Sequence, residues 1–176
     1  MDDQRVMEEG LLKPARAAGA STSHHPMLVC QAGALRCALP LDTVEETMRP
    51  LPVKPLAGVP AFVRGVAVVR GEPTPVVDAA MLLGGETVRC ARFVRVRAGS
   101  RPLILAVSTV TGVVNAPSSD ALPPLLARSG NEAIDAIGVL DAELLLVLRR
   151  ARLIPDHVWA SLDGAAPGDG STARGV

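Results

Sequence analysis

The sequence predicts an all-β protein built as two small five-stranded barrels packed side by side, with short helices. Three observations carry this expectation. The apolar runs are short and are separated by glycine, proline or acidic turn residues. One run, Val63 to Val69, is apolar on both parities, with Val66 and Val68 pointing one way and Val63, Ala67 and Val69 the other. That is the pattern of a strand with a core on each side. The chain also repeats itself. At the offset that takes Gly33 to Gly99, Ala32-Gly33 falls on Ala98-Gly99, Leu39 on Leu105, Leu41 on Val107 and Thr43-Val44 on Thr109-Val110. At a slightly larger offset, Glu72 meets Glu143 and Val76 meets Val147. Each half then reads hairpin, third strand, interruption, hairpin, and five short strands are what a small closed barrel needs.

The elements follow in order. Residues 1–26 hold charges with Gly, Ala and Ser and no sustained apolar period, as a flexible tail does. From Met27, Leu28 and Cys30 alternate into a turn at Ala32-Gly33, and Arg36 to Leu41 run back as a hairpin. Val44, Glu46 and Met48 share one parity on a third strand, which puts a carboxylate on an otherwise apolar face. Prolines 50, 52, 55 and 60 make the next segment an extended surface connector. After the central run and a turn at Gly71, Pro73 and Pro75 place both missing N–H groups on one side of the next strand, so it is an edge or a partly unpaired one. Asp78 to Gly85 reads as an N-capped helical turn closed by glycine. In the second half, strands are expected at Phe93 to Arg97, Leu103 to Val107, Thr109 to Val114, Ile134 to Leu140 and Leu144 to Leu148, with a long loop from Asn115 to Asn131. The halves are placed at 27–85 and 89–150. A closing helix over 155–162 would lay Val158, Trp159 and Leu162 on the core, and 163–176 is a second flexible tail.

Composition excludes several functions. Lysine plus arginine and aspartate plus glutamate balance at 18 each in 176 residues, so no net field holds nucleic acid or an anionic membrane. Two Phe, one Trp and no Tyr leave few rings for bases to stack on. Cys30, Cys37 and Cys90 form no CxxC pair and read as small apolar residues. The acidic start Met1-Asp2-Asp3 is not a signal peptide, and no apolar run is long enough to span a membrane, so a cytoplasmic protein without membrane insertion is expected. His24, His25 and His157 stand beside no nucleophile or metal-ligand set. With only Lys13 and Lys54 in the chain, Gly65, Gly71 and Gly84-Gly85 make no phosphate loop. No catalytic residue, metal or cofactor is expected, and the function is binding.

Three constellations remain. A carboxylate facing a core needs a partner, so Glu46 is expected to pair with Arg70, or else with Arg64, unless it lies solvated on a rim. Asp78 is expected to be an N-cap rather than a catalytic group. Arg95 and Arg97 share a strand face and, with Arg89, Arg92 and Arg101, form either a solvated basic face or a docking surface for an acidic partner.

Leu28 to Leu148 resembles the CheW-like domain family, the adaptors that link chemoreceptors to the histidine kinase CheA. The resemblance rests on Cys37-Ala38-Leu39-Pro40-Leu41, Val44-Glu45-Glu46 and Leu51-Pro52. It is strongest over Pro60-Ala61-Phe62-Val63-Arg64-Gly65-Val66, through Arg70-Gly71, to Pro75-Val76-Val77-Asp78. It implies two packed SH3-like barrels and a scaffold without catalysis or cofactor. A groove between the barrels would hold the cytoplasmic tip of a chemoreceptor, and another surface would dock the kinase's regulatory domain or other CheW-like domains. Val44, Glu46, Gly65 and Arg70 match groove and support positions. With Arg64, the alternative partner of Glu46, they form the expected partner-binding set. Gly65 is expected to mark a close approach by a partner helix, so that enlarging it would abolish binding and leave the fold intact. The chain departs from the family pattern at Val68-Val69, Pro73, Ser108 and Arg149. An array or polarity protein that binds receptors or CheW-like domains without controlling a kinase is the alternative.

Overall fold

The computed structural model describes residues 24–117, 132–149 and 153–165. Among the described residues, ten strands form two five-stranded sheets. The first half supplies β1 (His24–Ala32), β2 (Leu35–Pro40), a 3-10 turn (Leu41–Thr43), β3 (Val44–Met48), β4 (Val63–Val69), β5 (Glu72–Asp78) and helix α1 (Ala79–Leu82). The second supplies β6 (Arg92–Ala98), β7 (Arg101–Val107), β8 (Thr109–Pro117), β9 (Ile134–Leu140), β10 (Glu143–Leu148) and helix α2 (Asp156–Ala165). Five strands per half and the hairpin order agree with the sequence. β1 already begins at His24, which places His24 and His25 in a strand rather than in a tail ending at Pro26. Most of the expected loop from Asn115 lies outside the described residues.

The halves do not each close on themselves. One sheet runs β8-β1-β2-β10-β9 and the other β3-β6-β7-β5-β4. Exchanging β1 with β6, β2 with β7, and so on through β5 with β10 converts one order into the other, so the internal repeat is real. Each SH3-like barrel nevertheless combines three strands of one half with the leading hairpin of the other, which corrects the division at 27–85 and 89–150. Two parallel pairings weld the halves together, β2 to β10 and β5 to β7. The turns repeat as well. Gly33 and Gly99 both have φ 65°, while Arg70-Gly71 and Asp141-Ala142 are both left-handed pairs.

Three apolar clusters hold the fold together. Ala67, Val69, Val76, Phe93, Ile104 and Ala106 fill one barrel, whereas Met27, Val29, Ala38 and Leu145 fill the other. The largest cluster joins the barrels, bringing Leu28, Cys30 and Leu39 against Val63, Val94 and Leu105 under α1 and α2. Val158 and Leu162 of α2 enter it fully, while Trp159 is partly buried and carries the Arg101 guanidinium 5.1 Å above its ring.

β4 corrects the reading of the central run. It lies at the edge of its sheet, and Val68 is 60% exposed, so the strand is buried on one face only. A bulge between Val63 and Gly65 also splits the parity, sending Val63 to the inter-barrel core and Ala67 and Val69 into one barrel. β5 is interior yet partly unpaired. It ladders with β4 from Glu72 onward but meets β7 only at Val76–Asp78, immediately after Pro75. Glu72 and Val69 close the two-residue turn, so Pro73 and Pro75 turn their missing N–H groups away from β4 and shorten the β7 ladder instead.

Candidate partner-docking site

The network of charge at the mouth of the β3–β7 barrel begins with a bulge. The β3–β6 register shifts between Val44 and Glu46, and the extra residue lets the adjacent carboxylates of Glu45 and Glu46 both reach Arg95 on β6. The Arg95 side chain is 10% exposed. Its Nε lies 3.0 Å from Glu45 Oε2, out of line for a hydrogen bond, and its Nη1 lies 3.8 Å from Glu46 Oε1. Its Nη2 donates to Glu72 Oε2 at 2.5 Å. Arg70 Nη2 donates to Glu46 Oε2 at 2.8 Å, and Arg97 Nη2 donates to Glu45 Oε1 at 2.5 Å. Three carboxylates and three guanidiniums thus link β3, β6 and the β4–β5 turn.

An apolar groove of about 460 Å³ opens along the β4–β5 hairpin whose turn carries Arg70. The connector contributes Leu51, Pro52 and Leu56, with Lys54 on the wall, and the β4–β5 hairpin contributes Val66, Val68 and Pro73. The connector is held there by a bridge in which Lys54 N donates to Val66 O at 2.8 Å and Val66 N donates to Lys54 O at 2.9 Å. Continuing that ladder would bring Pro52, which has no N–H, opposite Val68. Pairing therefore stops, and Val68 stays open. The groove lies on the flank of one barrel rather than between the two.

The expected site residues divide. Glu46 and Arg70 form the expected pair at a half-exposed rim, with side chains 26% and 76% exposed. Val44 is partly buried against the inter-barrel core. Arg64 is not the partner of Glu46. Its Nε and Nη2 donate to Asp78 Oδ2 at 3.0 and 2.6 Å, and Nη2 also donates to Val88 O at 3.0 Å. Asp78 is the expected N-cap, accepting from Ala80 N at 3.0 Å and Met81 N at 3.2 Å through Oδ1. Its side chain is 1% exposed, so the second oxygen needs an inward cation. Gly65 does mark a close backbone approach, but the backbone is the chain's own. A Cβ there would lie 2.0 Å from Lys54 O, and φ is 137°.

Of the five arginines around β6, Arg95, Arg97 and Arg101 are paired with carboxylates. Arg95 and Arg97 are neutralised by the three glutamates, Arg101 Nη1 donates to Asp163 Oδ2 at 2.9 Å, and Arg92 donates to the Ala91 carbonyl. The burial of Arg95 among three glutamates and the position of the groove are what sequence reasoning missed. A signal for Arg95 existed, since Phe93, Arg95 and Arg97 share one parity and Phe93 is interior, which puts Arg95 at the barrel mouth. The Cys37 thiol pKa is raised well above its ordinary value, first by its hydrogen bond with Cys30 and then by burial. Burial also raises that of Cys90, against smaller opposing contributions led by the Arg92 backbone. Among the described residues, no group of three or more His, Cys, Asp or Glu could hold a metal ion, and no helix is long and apolar enough to cross a membrane.

Comparison with known proteins bears on what such a site serves. Residues 26–157 match the model of the CheW-like domain. The chain is 30% identical over 160 residues to Protein FrzA of Myxococcus xanthus, covering 81% of this chain and 99% of that protein. The scaffolding protein TtCheW from Thermoanaerobacter tengcongensis has the same fold, with a TM-score of 0.65 at 18% identity over 74% of this chain and 92% of its own. The chain belongs to the CheW-like domain family, a family of adaptors and scaffolds in chemosensory signalling.

Proposed function

We propose that this protein is a cytoplasmic, non-catalytic adaptor that couples the tip of a chemoreceptor to the regulatory domain of a CheA-type histidine kinase. It would work in receptor clusters at the inner face of the membrane. The observation that carries the reading is the apolar groove at Val66 and Val68, on the hairpin whose turn carries Arg70 of the Glu46–Arg70 pair. A groove of this size takes the apolar side chains of one helix face, and the charged rim sets register and orientation. Family membership supports the same reading, and so does the Glu46–Arg70 pair, which ties β3 to the β4–β5 turn. Gly65 supports the groove by letting the connector pack closely against β4.

The test is reconstitution. The full chain, a soluble receptor cytoplasmic fragment and a CheA-type kinase are mixed, and both co-sedimentation and kinase autophosphorylation are measured. Ternary assembly with receptor-dependent kinase activity is expected. Retention of the receptor fragment with no effect on the kinase would overturn the coupling and leave an array protein. Failure to retain receptor fragments would overturn the docking itself.

A further inference from the structure

Glu46 faces two guanidiniums of different character. Its Oε2 accepts from Arg70, which is 76% exposed on a left-handed turn, and its Oε1 lies 3.8 Å from Arg95, whose side chain is 10% exposed. A carboxylate with two cationic neighbours keeps a counter-charge when one of them leaves. Arg95 is fixed by Glu45 and Glu72 and cannot leave. Arg70 can. The groove beside it has one cation on its wall, Lys54, so its charged contacts call for a partner that brings a carboxylate alongside apolar side chains.

Resting on the receptor-docking reading above, we propose that Arg95 is a positioning residue. It holds Glu46 after docking, so that Arg70 exchanges from Glu46 onto a carboxylate of the receptor segment seated at Val66 and Val68. Arg95 touches no partner in this arrangement. Its removal leaves Arg70 as the principal counter-ion of Glu46, which traps Arg70 on the protein's own surface. The docking affinity then depends on a side chain buried behind the rim.

The experiment titrates the full chain with a soluble chemoreceptor cytoplasmic fragment by calorimetry, with thermal melts as the folding control. Arg95→Leu is expected to weaken binding by roughly tenfold, and Arg95→Lys by less, because it restores charge without the fork. The decisive variant is Arg95→Leu with Glu46→Gln. Neutralising Glu46 frees Arg70, so the double variant recovers affinity toward that of the wild type, a result that a merely structural role for Arg95 does not produce. If Arg95→Leu does not fold, Arg95→Gln carries the same comparison. Wild-type binding with Arg95 variants unaffected, or a double variant no better than the single one, overturns the exchange and leaves docking intact. Absence of wild-type binding overturns the docking reading together with the exchange.

Discussion

Asp135 and Arg149 repeat, with reversed polarity, the ion pair of Arg64 and Asp78. Arg64 Nη2 lies 2.6 Å from Asp78 Oδ2, and Arg149 Nε lies 3.3 Å from Asp135 Oδ1. The offset that carries Glu72 to Glu143 carries Arg64 to Asp135 and Asp78 to Arg149. The backbone agrees, since Asp78 N donates to Phe62 O at 2.7 Å and Arg149 N donates to Ala133 O at 2.8 Å. Arg149 is thus a compensated departure from the family pattern. Arg149→Asp alone is expected to destabilise the fold by about 1 kcal/mol through two facing carboxylates, and Asp135→Arg with Arg149→Asp to recover most of that loss. Urea midpoints of the two single variants and the double variant check it, and additivity would refute the pairing.

The first-half pair is the more consequential one, because Asp78 is buried and also caps α1. Asp78→Ala removes the cap and strands Arg64, for an expected loss of about 2–4 kcal/mol. Asp78→Asn keeps an acceptor for Ala80 and Met81, so it should lose less. Denaturant unfolding that ranks the two variants the other way would place the stabilisation elsewhere.

Gly65 answers to packing before binding. A Cβ at 2.0 Å from the Lys54 carbonyl must break the Lys54–Val66 bridge, on a backbone already at φ 137°. Gly65→Ala is expected to destabilise by about 2 kcal/mol or more and to loosen the connector. Faster hydrogen exchange at Lys54 and Val66 is the specific readout, and an unshifted melting temperature would contradict it.

Val68 offers the complementary variant. At 60% exposure it contributes little to the core, so Val68→Asp should change stability by less than about 1 kcal/mol while weakening receptor-fragment binding by at least roughly tenfold. Parallel melts and titrations decide it. Unaltered binding would move the docking site away from β4.

The thiols give a pH test. Raised pKa values mean that the reactive thiolate of Cys37 and of Cys90 forms only at more alkaline pH than in an unfolded chain. Native protein at pH 8 should therefore be alkylated slowly at half-buried Cys90 and hardly at all at Cys30 and Cys37, which are 0% exposed. Urea should equalise all three rates. Mass spectrometry of tryptic peptides resolves them, and early labelling of Cys37 would show that the inter-barrel core opens.

Local pattern accounts for what was legible in the sequence. Alternation and turn chemistry located all ten strands, and the Glu46–Arg70 pair followed from one carboxylate on an apolar face. Strand order was not legible, because a repeat specifies like elements without saying which copy each will pair with. The two-sided burial of Val63 to Val69 failed for a related reason. A bulge at Gly65 resets the parity, and a strand apolar on both faces is also what an edge beside a docking groove presents. The burial of Arg95 escaped because a pattern on one strand does not reveal that Glu45, Glu46 and Glu72 arrive from two others.

The exchange of hairpins sets an order in time. As the chain leaves the ribosome, the sheet of β3 to β7 can close once Val107 has emerged, whereas β1 and β2 must wait for β8, β9 and β10. The earliest-made hairpin therefore belongs to the last sheet completed, and it carries Met27, Val29 and Ala38 unburied until Leu145 arrives. The barrel that bears the groove is finished first, and the protein's most aggregation-prone interval falls between the syntheses of its two barrels.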